Sequence, residues 1–224
     1  MSGTLALVGG GEFTERTAAI DEQLLAAHRD GSPVSVVVIP AASAFEHPSR
    51  VVDAAIAHFA ALGASARGLN VLRRSDALDP VNAAALADAP VIYFSGGSPM
   101  HLRSVLKETP LWDAIVASWK AGATLVASGA AAAVFTDPMV DPRGGAYTLG
   151  LGLVAPLAVV PQHDTWSAER SRRTLDLAPA GVPVALIDTG AALVRAAGGS
   201  WTSIGGGSVS VHVDGHVGDL SALP

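Results

Sequence analysis

Short apolar runs alternate with helical periodicity along the first two-thirds of the chain. Leu5 to Val8 is continuously apolar and breaks into Gly9-Gly10-Gly11, the pattern of a buried strand. The stretch from about Glu15 to His28 sets Ile20, Leu24 and Leu25 on one face of a helix. Val34 to Ile39 (VSVVVI) is rich in β-branched residues, as a strand covered on both faces should be. Pro48 opens a helix through Val51, Val52, Ala55, Ile56 and Phe59. Val91 to Phe94 is a further strand, closed by Ser95-Gly96-Gly97-Ser98-Pro99. The helical stretch Met100 to Lys120 is interrupted at Pro110, and Ala123 to Ala127 reads as the next strand. This βαβα order predicts an α/β fold, a three-layer α/β/α sandwich around a mainly parallel sheet.

The last third changes character. Pro142-Arg143-Gly144-Gly145 is a turn, Leu157 to Val160 a strand, and Ser167 to Leu175 a short helix. Val182 to Ile187, Ala192 to Val194 and Val209 to Val213 read as strands, with hairpin signals at Gly198-Gly199 and Asp214-Gly215. No linker or repeat divides the chain, so residues 1–224 are expected to form one domain.

Composition narrows the function. The chain is 50% hydrophobic and only 15% charged, against about 25% charged in an average soluble protein. Its net charge of −6 excludes a nucleic-acid binder working by bulk positive charge. There is no cysteine, hence no disulfide, thiolate metal site or cysteine nucleophile. The amino terminus, MSGTLALVGGGEF, has no basic region and too short an apolar run for a signal peptide. No run reaches the ~18 apolar residues of a membrane span. A soluble, cytoplasmic protein is expected.

In open α/β sheets, ligands sit beyond the carboxyl ends of the strands. Four such loops follow from the pattern: Gly9 to Glu12, Ala41 to His47, Ser95 to Ser98, and Ser128 to Ala133. The first fails the dinucleotide fingerprint, since Thr14 takes the third glycine position. Ser95-Gly96-Gly97-Ser98 is either a tight strand-to-helix turn or an oxyanion-binding loop. Ala127-Ser128-Gly129-Ala130-Ala131-Ala132 has the shape of a nucleophile elbow, where small neighbours let a sharp turn lift one side chain above the sheet. Its apex is Gly129. His163, just after a strand in Val160-Pro161-Gln162-His163-Asp164, is either a solvated loop residue or, opposite an elbow, a base. His47 and His101 show no metal-ligand spacing. Arg170, Arg172 and Arg173 form either a solvated helix face or a guanidinium site for a carboxylate.

Taken together, these segments resemble the cyanophycinase and aspartyl dipeptidase (dipeptidase E) family of serine peptidases. The resemblance covers about residues 4–195. It rests on Gly9-Gly10-Gly11-Glu12, Pro40-Ala41-Ala42-Ser43-Ala44, Phe94-Ser95-Gly96-Gly97, and Gln162-His163 trailed by Arg170 and Arg173. It implies the class I glutamine amidotransferase-like (flavodoxin-like) fold. By resemblance, Gly97 and Ala130 supply the oxyanion hole. Gly11, Glu12, Ser98, Arg170 and Arg173 take the ligand, and no metal or cofactor is needed.

The departures are informative. The family's Gly-x-Ser-Ala-Gly-Ala elbow falls on Ala127 to Ala132, so its serine becomes Gly129 and its second glycine Ala131. The family's third loop position is Ser98, and Pro161 stands where many members carry an Asp. Asp137, Asp141 and Asp164 are the candidate acids for His163. The leading expectation is a catalytically impaired homologue binding a small peptide or an acidic, amino-acid-like ligand, with a homodimer allowed. The alternative is an active hydrolase cleaving aspartyl or β-aspartyl bonds through Ser128 and His163. An elbow presents only one side chain, however, and the residue before the apex points elsewhere.

Overall fold

In β1 (Leu5–Val8) successive side chains serve two different cores. Leu5 and Leu7 pack on one face of the sheet, Ala6 and Val8 on the other, and all four are fully buried. The computed structural model describes residues 2–224. In chain order β1 is followed by α1 (Glu15–Ala26), β2 (Ser35–Ile39), α2 (Pro48–Ala61), β3 (Ser65–Gly68), α3 (Arg74–Leu78), α4 (Pro80–Ala84) and β4 (Val91–Phe94). Then come α5 (Pro99–Leu106), α6 (Pro110–Lys120), β5 (Thr124–Ser128), α7 (Ala130–Val134), β6 (Met139–Val140) and β7 (Tyr147–Thr148). The chain ends with β8 (Ala158–Pro161), α8 (Ala168–Asp176), β9 (Val184–Ile187), β10 (Ala191–Arg195), β11 (Trp201–Gly205), β12 (Val209–Val213) and β13 (His216–Gly218).

The main sheet has seven strands in the order β11-β10-β1-β5-β4-β2-β3. Its β1, β5, β4, β2 and β3 are parallel, while β10 and β11 join antiparallel. Ile20, Leu24 and Leu25 of α1 and Phe59 of α2 cover one face. Leu102 and Val105 of α5, Ile115 of α6 and the alanines of α7 cover the other. Phe94 and Phe135 meet edge-on at 5.0 Å inside this second layer; truncating either ring would cost about 3–5 kcal/mol. The expected sandwich with a mainly parallel sheet is therefore the observed architecture.

Local chemistry sets the boundaries. The Ser98 hydroxyl accepts the His101 amide at the start of α5, and Thr109 accepts the Trp112 amide ahead of Pro110. Several elements go beyond the sequence expectation, among them α3, α4, the β6–β7 pair and β11. β3 was not anticipated because its residues, Ser-Ala-Arg-Gly, carry no apolar run; it is the sheet edge and is only partly covered. The strands of the last third do not simply extend one sheet. β10 and β11 do so, whereas β13-β12-β9-β8 form a separate four-stranded sheet. Asp214 and Gly215 both take positive φ in the β12–β13 hairpin, as their order predicts. No helix among the described residues is long and apolar enough to cross a membrane.

Candidate active site

The turn after β5 is the centre of the site. Gly129 adopts φ +54°, ψ −122°, a conformation that L side chains enter only under strain. Its amide donates to the Val8 carbonyl at 2.9 Å, locking the turn against the end of β1. A Cβ built on Gly129 would meet only the Gly96 Cα, at 3.4 Å. The apex thus faces open space, and the chain places no side chain there. Ser128, one residue earlier, is fully buried.

Glu12 joins three loops. Positive φ at Gly10 and Gly11 turns the chain sharply after β1 and brings the Glu12 carboxylate across the ends of β4 and β5. Its Oε1 accepts the Gly96 amide at 2.7 Å, and its Oε2 accepts the Ser128 hydroxyl at 2.8 Å. Gly97 sits at φ +137°, and a Cβ there would lie 2.4 Å from the Ala42 carbonyl oxygen, so only glycine fits. Among the described residues, neither the Gly97 amide nor the Ala130 amide donates a hydrogen bond within the protein. Both residues line a cavity of about 420 Å³, together with Glu12, Gly129, Gln162 and Arg170. Two free donors beside an elbow apex can hold a carbonyl or carboxylate oxygen.

His163 is placed differently. Gln162 takes a left-handed conformation, φ +51°, with its amide on the Gly9 carbonyl at 2.8 Å. The following His163 does not line the cavity. Its Nε2 is 3.0 Å from the Ser171 Oγ, and its Nδ1 is 3.6 Å from the Asp188 Oδ1. None of the three expected acids faces it. Asp137 accepts the Gly150 amide, Asp164 accepts both the amide and the hydroxyl of Thr189, and Asp141 grips Arg143. The Arg143 guanidinium holds the Asp141 carboxyl down, to about 2. Asp188 was missed because its signal, a polar break at Ile187-Asp188-Thr189-Gly190, lies in strands the sequence left unassigned to a sheet end.

The arginines have structural partners. Arg170 stacks on Trp166, 3.5 Å from the ring centroid, and donates to the Pro142 carbonyl. Arg173 donates to the Gly144 carbonyl at 3.4 Å. Both therefore brace the turn at Asp141 to Gly145, and Arg170 alone also lines the cavity. Ser98 and Gly11 do not line it: Ser98 caps α5, and the Gly11 carbonyl accepts the Thr14 hydroxyl at 2.7 Å. The cavity also receives Glu46 and Asp141, which the sequence reading did not assign to the ligand.

Comparisons with known proteins bear on the family and the fold. The pattern of Peptidase family S51 matches residues 5–201. The crystal structure of a peptidase from an acI-B1 Actinobacterium superposes with a TM-score of 0.81 at 29% identity, covering 100% of this chain and 93% of that one. A putative peptidase E protein from Listeria monocytogenes EGD-e shares the fold, with a TM-score of 0.66 at 16% identity over 95% of this chain and 99% of that one. No curated protein matches the sequence. The chain belongs to peptidase family S51.

Proposed function

We propose that this S51 family member binds a small amino-acid-like ligand in the elbow cavity and forms no acyl-enzyme at the elbow. The observation that carries this reading is Gly129 at the apex of the turn, φ +54°, the position on which the motif resemblance sets the family's serine. Losing the nucleophile of a serine–histidine unit costs a factor of about 10⁶ in rate. Ser128 is a poor substitute, because its hydroxyl is buried and donates to Glu12. The rest of the site remains suited to binding. The Gly97 and Ala130 amides offer two donors for a carboxylate, and Glu12 and Glu46 offer acceptors for an ammonium group. With Asp141 the lining holds three carboxylates against the single guanidinium of Arg170, which favours a zwitterionic ligand over a purely acidic one.

Calorimetric titration with aspartyl dipeptides and free amino acids, paired with chromatographic assay of the same mixtures, tests the reading. Saturable binding without product is expected. Turnover through an acyl-enzyme on Ser128 would overturn it in favour of the hydrolase alternative.

A further inference from the structure

Outside the elbow, one serine, one histidine and one aspartate stand in series. Ser171 Oγ lies 3.0 Å from His163 Nε2, and His163 Nδ1 lies 3.6 Å from Asp188 Oδ1. Each member is held by its own element. The Ser171 amide donates to the Ser167 carbonyl in the first turns of α8, at 3.0 Å. Asp188 follows β9, donates its backbone amide to the Ser208 carbonyl at 3.0 Å, and accepts the Ser208 amide on Oδ2 at 3.2 Å. His163 is aimed by the left-handed Gln162, whose side chain occupies the space a Cβ on Gly10 would need, 2.9 Å from Gln162 Cγ. A non-glycine residue held in that conformation must be over-determined by its surroundings, as Gln162 is. Ser171 and His163 are both half-buried, so the pair remains reachable from solvent.

We propose that Ser171, His163 and Asp188 form a relocated nucleophilic unit that reacts with activated esters. A serine–histidine–carboxylate series is recognised by its geometry and not by its place in the chain. In the reaction, the Ser171 oxygen forms a bond to the ester carbonyl carbon as its proton passes to His163 Nε2. The imidazolium is stabilised by the Asp188 carboxylate across Nδ1. Collapse breaks the bond to the leaving oxygen, which departs as the phenol or alcohol with the proton from His163. Water, deprotonated by the same nitrogen, then releases the acid and restores Ser171. The class of substrate follows from what supports the oxyanion. The Ser171 amide is spent inside α8, and one missing oxyanion donor costs a factor of about 10²–10³. Good leaving groups tolerate that loss and peptide bonds do not. This proposal is independent of ligand binding at the elbow.

The test is reaction of the intact chain with a fluorophosphonate probe, in which the Ser171 oxygen displaces fluoride at phosphorus, followed by mass mapping of the adduct. One adduct is expected, on Ser171, and its rate should fall about 100-fold or more in His163→Gln. The chain has no cysteine, so Ser171→Cys gives a single thiol for a second measurement. That thiol should react with iodoacetamide about tenfold faster than the same thiol in a His163→Gln background, because a neighbouring imidazolium favours the thiolate. No adduct, an adduct on another residue, or rates indifferent to His163 in both measurements would overturn the proposal.

Discussion

The Ser128 hydroxyl donates to the Glu12 carboxylate at 2.8 Å, across 116 residues of sequence. The one hydroxyl next to the apex is therefore directed beneath the elbow, where it helps hold the first loop against the end of β5. The same carboxylate takes the Gly96 amide, so β1, β4 and β5 are tied at their carboxyl ends by one side chain.

Ser128→Ala should weaken this tie without opening the cavity. A hydrogen bond to a charged group contributes about 1.5–3 kcal/mol, and the partial exposure of Glu12 places the loss near the lower end. In a domain of this size that lowers the melting temperature by roughly 3–6 °C. An unchanged melting curve would show that the Ser128–Glu12 contact contributes nothing.

Gly129→Ser should fold. The new Cβ meets only Gly96 Cα at 3.4 Å, and the strained φ costs about 1–3 kcal/mol. Turnover of aspartyl dipeptides should stay at a trace, because His163 Nε2 is engaged with Ser171. Adding Ser171→Ala should raise it. Full activity from the single variant would mean that His163 reaches the elbow without hindrance.

Gly97→Ala should behave in the opposite way. Its Cβ would lie 2.4 Å from a backbone oxygen that has no flexible end to yield. The expected loss is at least about 3 kcal/mol, with the β4–α5 turn displaced. Urea unfolding of the two glycine variants side by side decides the contrast, and equal stability would refute it.

His58 and Asp21 form a buried pair at 2.8 Å, with side chains 8% and 1% exposed. Burial raises the Asp21 carboxyl above its ordinary range, and His58 opposes that rise. His58→Ala should cost about 3 kcal/mol at pH 7, the usual consequence of orphaning a buried charge. For a raised carboxyl, the folded state holds the proton more tightly than the unfolded chain. The deficit should therefore shrink as pH falls and Asp21 is neutralised. Asp21→Asn in the same background should recover much of it. A deficit that is constant from pH 7 to pH 5, as read by urea midpoints, would contradict this account.

Asp141 supplies the opposite sign. Its carboxyl is lowered to about 2 by Arg143, so the unfolded chain binds the proton more readily than the folded one. The stabilisation is present above the ordinary carboxylate range and disappears as pH falls from about 4 towards 2. Asp141→Asn should flatten that part of the stability–pH curve and leave the neutral region nearly unchanged. A mutant curve parallel to wild type between pH 4 and 2 would remove Asp141 from the acid limb.

The sequence by itself determined the buried parallel strands β1, β2, β4 and β5, the elbow and the glycine at its apex, because each is a local pattern. Buried parallel strands must be continuously apolar, and an elbow must be a strand followed at once by small residues. It also carried the family relationship, through four short segments in order. The tertiary structure decided the rest. Asp137, Asp141 and Asp164 are each drawn to another donor, and the carboxylate facing His163 is Asp188, 25 residues on and past the end of β9. Ser128 was legible as a neighbour of the apex, but its partner in the first loop was not. Arg173 was legible as a cation, yet it does not line the cavity and is spent on the Gly144 carbonyl. Local periodicity fixes which elements form and which face they bury. Which side chains then meet depends on how distant loops converge at the sheet ends, and hydrogen-bond donors and acceptors there are allotted by distances of a few ångströms that no spacing along the chain encodes.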